Sequence, residues 1–320
     1  MNGITEIQRP LKTSESGITR HFKLLADQKH LLFMSVPFFV WVVIFRYLPL
    51  WGWTMAFQNY KPGRSFFQQQ WVGLQHFLTL FSEPDFYMSL RNSLAMSFLN
   101  ITLGFVAPII FALLLNEIRS LLFKRTIQTI SYLPHFISWV IAANLISVML
   151  SSDDGVVNNI LVALNIIKEP VQFMAIPEAF WFIFMLAELW KEVGWNAIII
   201  LAAIAGVDQD TYEAAKVDGA GRLRRIWHVT LPGIRPTIIV IMVMNIGWLM
   251  SIGFERQFLL GNAVVMKYSQ TLDLYALNYG LSLTRYSFGT AIGMFQSVIS
   301  IILVFLANRM AKKMGEGQII

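Results

Sequence analysis

Long apolar runs separated by short polar segments organise this chain. Six of them, at 31–54, 90–115, 127–150, 179–203, 237–257 and 288–307, reach the roughly 20 residues that a helix needs to cross a ~30 Å hydrocarbon core. None alternates with the two-residue period of a lipid-facing strand. Helices remain as the way to satisfy a backbone in lipid. The pattern therefore predicts an all-α integral membrane protein with six transmembrane helices.

Composition agrees with that reading. Of 320 residues, 56% are hydrophobic and 14% charged, too apolar a balance for an ordinary soluble domain. Lys and Arg are unevenly placed. The terminal segments 1–30 and 308–320 and the segments 116–126 and 205–236 hold 16 of them, against 5 in 58–89, 151–178 and 258–287. The positive-inside rule then puts both termini in the cytoplasm. The expected organisation is a cytoplasmic N-terminal tail (1–30) with an amphipathic stretch near 18–25, a six-helix domain (31–307), and a cytoplasmic tail (308–320). The net charge of +6 follows from topology, without nucleic acid as a partner.

Several chemistries are excluded by what the residues lack. There is no cysteine, so no disulfide, thiolate metal site or Cys nucleophile. The five histidines show no metal-ligand spacing, and no Gly-Lys pair exists to build a nucleotide-binding P-loop. No catalytic residues and no metal site are expected, and the chain is read as no enzyme.

Ionisable side chains inside apolar runs are functional candidates. Arg46 and Arg91 lie toward span ends, where they can snorkel. Glu188, Lys191 and Glu192 fall mid-run, at helical spacings that make one local ion pair with Lys191 available, Glu188 being the expected partner, and leave a second carboxylate for a cavity or another subunit. Trp195, Asn196, Asn245, Trp248 and Glu255 add polar or flat aromatic groups at similar depth. Together these eight residues form the expected substrate pathway.

The polar island at 205–236 is the most informative stretch. Asp208 is suited to cap a short helix over Gln209–Val217. Gly219 and Gly221 permit a sharp turn, a second short helix is expected near Leu223–Val229, and Pro232 and Pro236 are expected to open the next span. Ala214, Ala215 and Ala220 would let a partner surface come close.

This stretch, EAAKVDGA followed by LPGIRP, resembles the EAA loop of binding-protein-dependent ABC importer permeases. Glu213, Ala214, Ala215, Asp218, Gly219, Ala220, Leu231, Pro232 and Pro236 carry the match, with Gly221 beside them. Further motifs, among them WVGLQHF (71–77), SYLPHFISWV (131–140) and LWKEVGWNAIIILAAIAGVD (189–208), are similar to the oligosaccharide and polysaccharide branch, the LplB-like group, and within it to permeases of bacterial alginate importers. The resemblance implies a type I importer permease fold (MetI-like) with a cytoplasmic coupling helix, in a bacterial cytoplasmic membrane. It implies a second permease, two ATP-binding subunits that hold ATP and Mg and grip the coupling loop, and an extracytoplasmic substrate-binding protein. No cofactor is implied in this chain. An ion-coupled secondary transporter of a small polar solute is the alternative reading, with Glu188, Glu192 and Glu255 as its only eligible carboxylates.

Overall fold

The computed structural model describes residues 28–313. The stretch expected near 18–25 and most of both tails lie outside the described residues. The chain forms two compact units, one ending at Thr54 and one beginning at Met55. Residues 29–54 of helix α1 (Lys29–Phe57) belong to the first unit. None of its residues Lys29–Val42 is buried, and an apolar surface on all sides is what lipid, rather than water, accepts.

The second unit opens with a short antiparallel ladder, β1 (Gln58–Asn59) and β2 (Gln70–Trp71), pairing Gln58 with Trp71. Gln69 ties the intervening loop, its amide donating to the carbonyls of Lys61 (3.1 Å) and Arg64 (3.0 Å). Then follow α2 (Gln75–Ser82), α3 (Pro84–Glu117), α4 (Leu121–Phe136), α5 (Trp139–Met149), α6 (Val156–Ala163), α7 (Pro177–Ala205), α8 (Gln209–Val217) and α9 (Arg222–Gly247). The short helices α10 (Glu255–Leu260), α11 (Met266–Ser269) and α12 (Leu272–Ala276) lead to α13 (Tyr286–Lys313).

Three expectations about the spans change. The third is broken: α4 and α5 meet at 105°. Pro134 ends the first half in a tight turn, Ile137 is extended, and the Ser138 hydroxyl caps the second half by accepting from the amide of Ile141. The fifth span is α9, displaced toward the N-terminus of the expected 237–257. It starts at Arg222 and stops at Gly247, because the chain turns at 248–253 with Gly253 at φ +82°. The sixth continues to Lys313, so residues 308–313 are helix rather than tail.

In lipid, helices associate through close packing and hydrogen bonds more than through hydrophobic burial. Both devices are visible. A β-carbon added at Gly194 on α7 would lie 2.2 Å from the Ser131 carbonyl of α4, and one at Gly289 would lie 2.7 Å from Gly280 Cα. The backbones there touch because no side chain intervenes. One core joins α3, α7 and α9 through Ile109, Ala112, Ala197, Ile200 and Ile234; another joins α2, α3, α12 and α13 through Leu80, Phe86, Leu272, Tyr275 and Phe288.

The irregular segment between α9 and α13 needs partners for its backbone, and α3 supplies them from one face. Ser89, Asn92, Ser93 and Ser97 recur at helical spacing and are all buried. Asn92 donates to the carbonyls of Lys267 (3.1 Å) and Gln270 (2.9 Å). Ser93 accepts from the Leu272 amide at 2.8 Å, and Ser97 donates to the Leu249 carbonyl. Non-helical backbone is tolerated in a membrane protein where protein groups satisfy it in this way.

Candidate functional site

At one end of the second unit, α8 forms a short helix at 73° to α7. Its boundaries and cap are those the sequence implies: the Asp208 carboxylate accepts from the Asp210 amide at 3.0 Å. Its far end closes by the two hydrogen bonds of a Schellman turn, Ala220 N–H to Ala215 O (2.9 Å) and Gly219 N–H to Lys216 O (3.0 Å). Gly219 sits at φ +74°, a conformation that costs any residue with a β-carbon. Gly221 is different. Its φ of −66° suits any residue, so the expectation that two glycines make the turn reduces to one.

No separate second helix follows. Arg222 begins α9, which widens into a π-turn at Ile226–Thr230 and runs on through Pro232 and Pro236. Pro232 falls in the first turn of the segment Leu231–Gly247 instead of opening a new span. A proline has no N–H to offer the carbonyl one turn back, and such a site favours a change of helical register. Leu231 is half-buried against the core of α3, α7 and α9. The hydroxyls of Tyr212 and Thr230, 2.9 Å apart, tie α8 to α9. Gly233 lets α9 approach Val207, where an added β-carbon would come within 2.8 Å of a methyl group. The result is a fixed helix whose Glu213, Ala214, Val217 and Asp218 are exposed, with Ala215 and Ala220 half-buried.

The residues expected to line a pathway divide into two groups. On α7, Glu188, Lys191, Glu192 and Trp195 share one face. Lys191 is buried; its ammonium donates to the His135 carbonyl (2.7 Å) and pairs with Glu192 (3.3 Å). Glu192 also meets His135 Nδ1 at 2.7 Å, and the His135 ring stacks on Trp195 with centroids 4.2 Å apart. Lys191 therefore neutralises Glu192, and the expected pair with Glu188 is not formed. Glu188 instead meets Arg256, 2.6 Å from Nη1 to Oε1. Arg256 is thus a second cation on this face of α7, besides Lys191.

Asn196, Asn245 and Trp248 belong to the second group. Asn245 and Trp248 line a cavity of ≈ 360 Å³ with Ser97, Asn100, Ser251 and Arg256. Asn245 also lines a smaller space of ≈ 80 Å³ beside Asn196. Asp273 fastens the turn at the cavity's rim, accepting from Ser251 Oγ (3.1 Å), the Gly253 amide (2.9 Å) and Gln296 (3.1 Å). Burial raises its carboxyl above the ordinary range, and these hydrogen bonds and the charge of Arg256 oppose the rise. Glu255 is exposed and lines neither space.

His135 and Arg256 are contacts of this region that the sequence pattern does not single out. A lone histidine between Pro134 and Phe136 carries no local signal of the contacts it makes with α7. Arg256 falls inside the expected fifth span 237–257, and Gly253 is the turn signal just before it.

Comparison with known proteins supplies the context for this geometry. Residues 104–316 match the family of binding-protein-dependent transport system inner membrane components. The polygalacturonan/rhamnogalacturonan transport system permease protein YteP of Bacillus subtilis (strain 168) is 44% identical over 292 residues, covering 91% of this chain and 90% of that protein. Protein LplB of the same organism is 42% identical over 309 residues, 96% of each chain. Among solved structures, a bacterial ABC transporter involved in the import of the acidic polysaccharide alginate matches at a TM-score of 0.84 with 38% identity, over 92% of this chain and 99% of that one. A bacterial alginate ABC transporter in complex with an alginate pentasaccharide-bound periplasmic protein matches at 0.86 with 37% identity, over 94% and 100%.

Proposed function

The chain belongs to the family of binding-protein-dependent transport system inner membrane components, and from that premise we propose that it is the permease through which an acidic oligo- or polysaccharide is imported. As a multi-pass permease of an ABC importer it works with a second permease and a substrate-binding protein. Two separate ATP-binding subunits hold ATP and Mg, and this chain hydrolyses nothing. Both termini and α8 face the cytoplasm, in keeping with the distribution of Lys and Arg.

The similarity over nearly the whole length of YteP and of the alginate transporter is the observation that carries this reading. The cargoes named for those proteins are acidic polysaccharides, and Asn245, Trp248 and Arg256 offer amide, aromatic and cationic groups to such a cargo. Closure of the ATP-binding subunits moves α8 as a rigid handle, with Glu213, Ala214, Asp218 and Gly219 at the contact, and α9 transmits the motion through the Tyr212–Thr230 tie and the packed Leu231, beside the exposed Pro232. Reconstitution of the complete importer with its binding protein tests this. Acidic oligosaccharide is expected to stimulate ATP hydrolysis, and Glu213→Arg to abolish the stimulation. Full stimulation in that variant would remove α8 from the coupling path.

A further inference from the structure

The ≈ 360 Å³ cavity has one charged side chain in its lining, Arg256. Its guanidinium is held on several sides. Nη1 meets Glu188 Oε1 at 2.6 Å, Nη2 donates to the Ile252 carbonyl, and the rings of Trp139 and Phe184 lie 5.8 and 5.7 Å from Cζ. The ion pair is incomplete from the acid's side, because Glu188 Oε2 is buried with no hydrogen-bond partner.

An arginine that serves only to neutralise a buried carboxylate is at its best in a two-pronged pairing that satisfies both oxygens. Here one oxygen is left over, and an unsatisfied buried acceptor is costly. The pair is therefore less settled than its short contact implies. Arg256 lines the cavity together with Asn245, Asn100 and Trp248. Amides bond sugar hydroxyls, an indole covers the apolar face of a pyranose ring, and a guanidinium matches a carboxylate.

From this arrangement, and resting on the acidic-glycan reading above, we infer that Arg256 is the carboxylate-reading residue of the translocation cavity and that Glu188 is its resident counter-ion, displaced by the uronate carboxylate of the passing glycan. The exchange replaces one ion pair by another, which avoids a bare buried charge on the arginine. Lys191, one helical turn from Glu188 on the same face of α7, is already held by Glu192 and the His135 carbonyl, so the released carboxylate gains no cation of its own and returns to Arg256 once the glycan has passed. A neutral sugar brings no carboxylate and leaves Arg256 closed on Glu188.

The two members of the pair then have opposite roles, which a purely structural salt bridge would not have. Uptake of alginate and galacturonate oligosaccharides by proteoliposomes holding the complete importer and loaded binding protein separates the cases. Arg256→Gln is expected to slow uptake tenfold or more. Arg256→Lys, a point charge without the fork, is expected to fall between it and the parent, and decides the matter if Arg256→Gln fails to assemble. Glu188→Gln, which frees the arginine, is expected to speed uptake. Equal losses in Glu188→Gln and Arg256→Gln, or parental rates in both arginine variants, would overturn the inference while leaving the permease reading intact. A parental importer that moves neutral but not acidic oligosaccharides would instead overturn the cargo reading itself.

Discussion

Gly219 shows how much a single position can decide. Its φ of +74° lies in the left-handed region, yet open space surrounds it. A substitution there meets no clash and is penalised by backbone strain alone, of ~1–2 kcal/mol for a residue with a β-carbon and more for a branched one. Gly219→Val is therefore expected to loosen the end of α8 and to cut glycan-stimulated ATP hydrolysis severalfold, with the importer still assembled. Gly221→Ala, at φ −66° in equally open space, is expected to retain parental stimulation. Measuring the two variants side by side isolates the turn from the loss of small side chains in general. At this scale the sequence reads well where the cause is local. Asp208 caps the residue two positions on, and Gly219 ends the helix it follows. It reads poorly where a partner comes from elsewhere in the fold. The 188–191–192 spacing offered Lys191 two carboxylates, and the choice of Glu192 was made by Arg256 claiming Glu188 from another element.

Elements depend on the same distinction. Apolar length announced the spans, but the bend between α4 and α5 and the early end of α9 come from Pro134, Ser138 and Gly253, each a small signal inside or beside a long apolar run. Ser89, Asn92, Ser93 and Ser97 on α3 stand at helical spacing in the sequence, but the spacing by itself does not say what they bond. Their purpose is apparent only once the broken backbone between α9 and α13 is seen to lie against them. The contact of α4 with α7 provides a test at this scale. A β-carbon at Gly194 would sit 2.2 Å from a backbone carbonyl, which cannot swing away as a flexible side chain would. Gly194→Ala is expected to push the two helices apart, at a cost of ~1–3 kcal/mol typical of overpacking. It would also disturb the Lys191–His135 and Glu192–His135 contacts nearby. A lowered midpoint of thermal unfolding in detergent is the expected result, whereas an unchanged midpoint would mean that the helices are not in contact at this glycine.

For the whole molecule, the remaining expectation is its direction in the membrane, which rests on charge counting. Lys and Arg cluster in the segments that adjoin α8 and both ends of the chain, and on that basis α8 is cytoplasmic and the β1–β2 loop is outside. The absence of cysteine from all 320 residues makes this directly measurable. Val217 on α8 is 88% exposed and Phe67 in the β1–β2 loop is 84% exposed, so a single cysteine at either place would be open to reagent with little loss of packing. In intact cells from which any outer barrier has been removed, a membrane-impermeant maleimide is expected to label Phe67→Cys. It is expected to label Val217→Cys only after the membrane is permeabilised. The reverse pattern would invert the chain, turn α8 away from any cytoplasmic ATP-binding subunit, and with it remove the physical basis for the coupling role. Labelling of both positions in intact cells would mean an even number of crossings between them, contrary to the three that lie between the β1–β2 loop and α8 when α3, the bent α4–α5 pair and α7 each cross once.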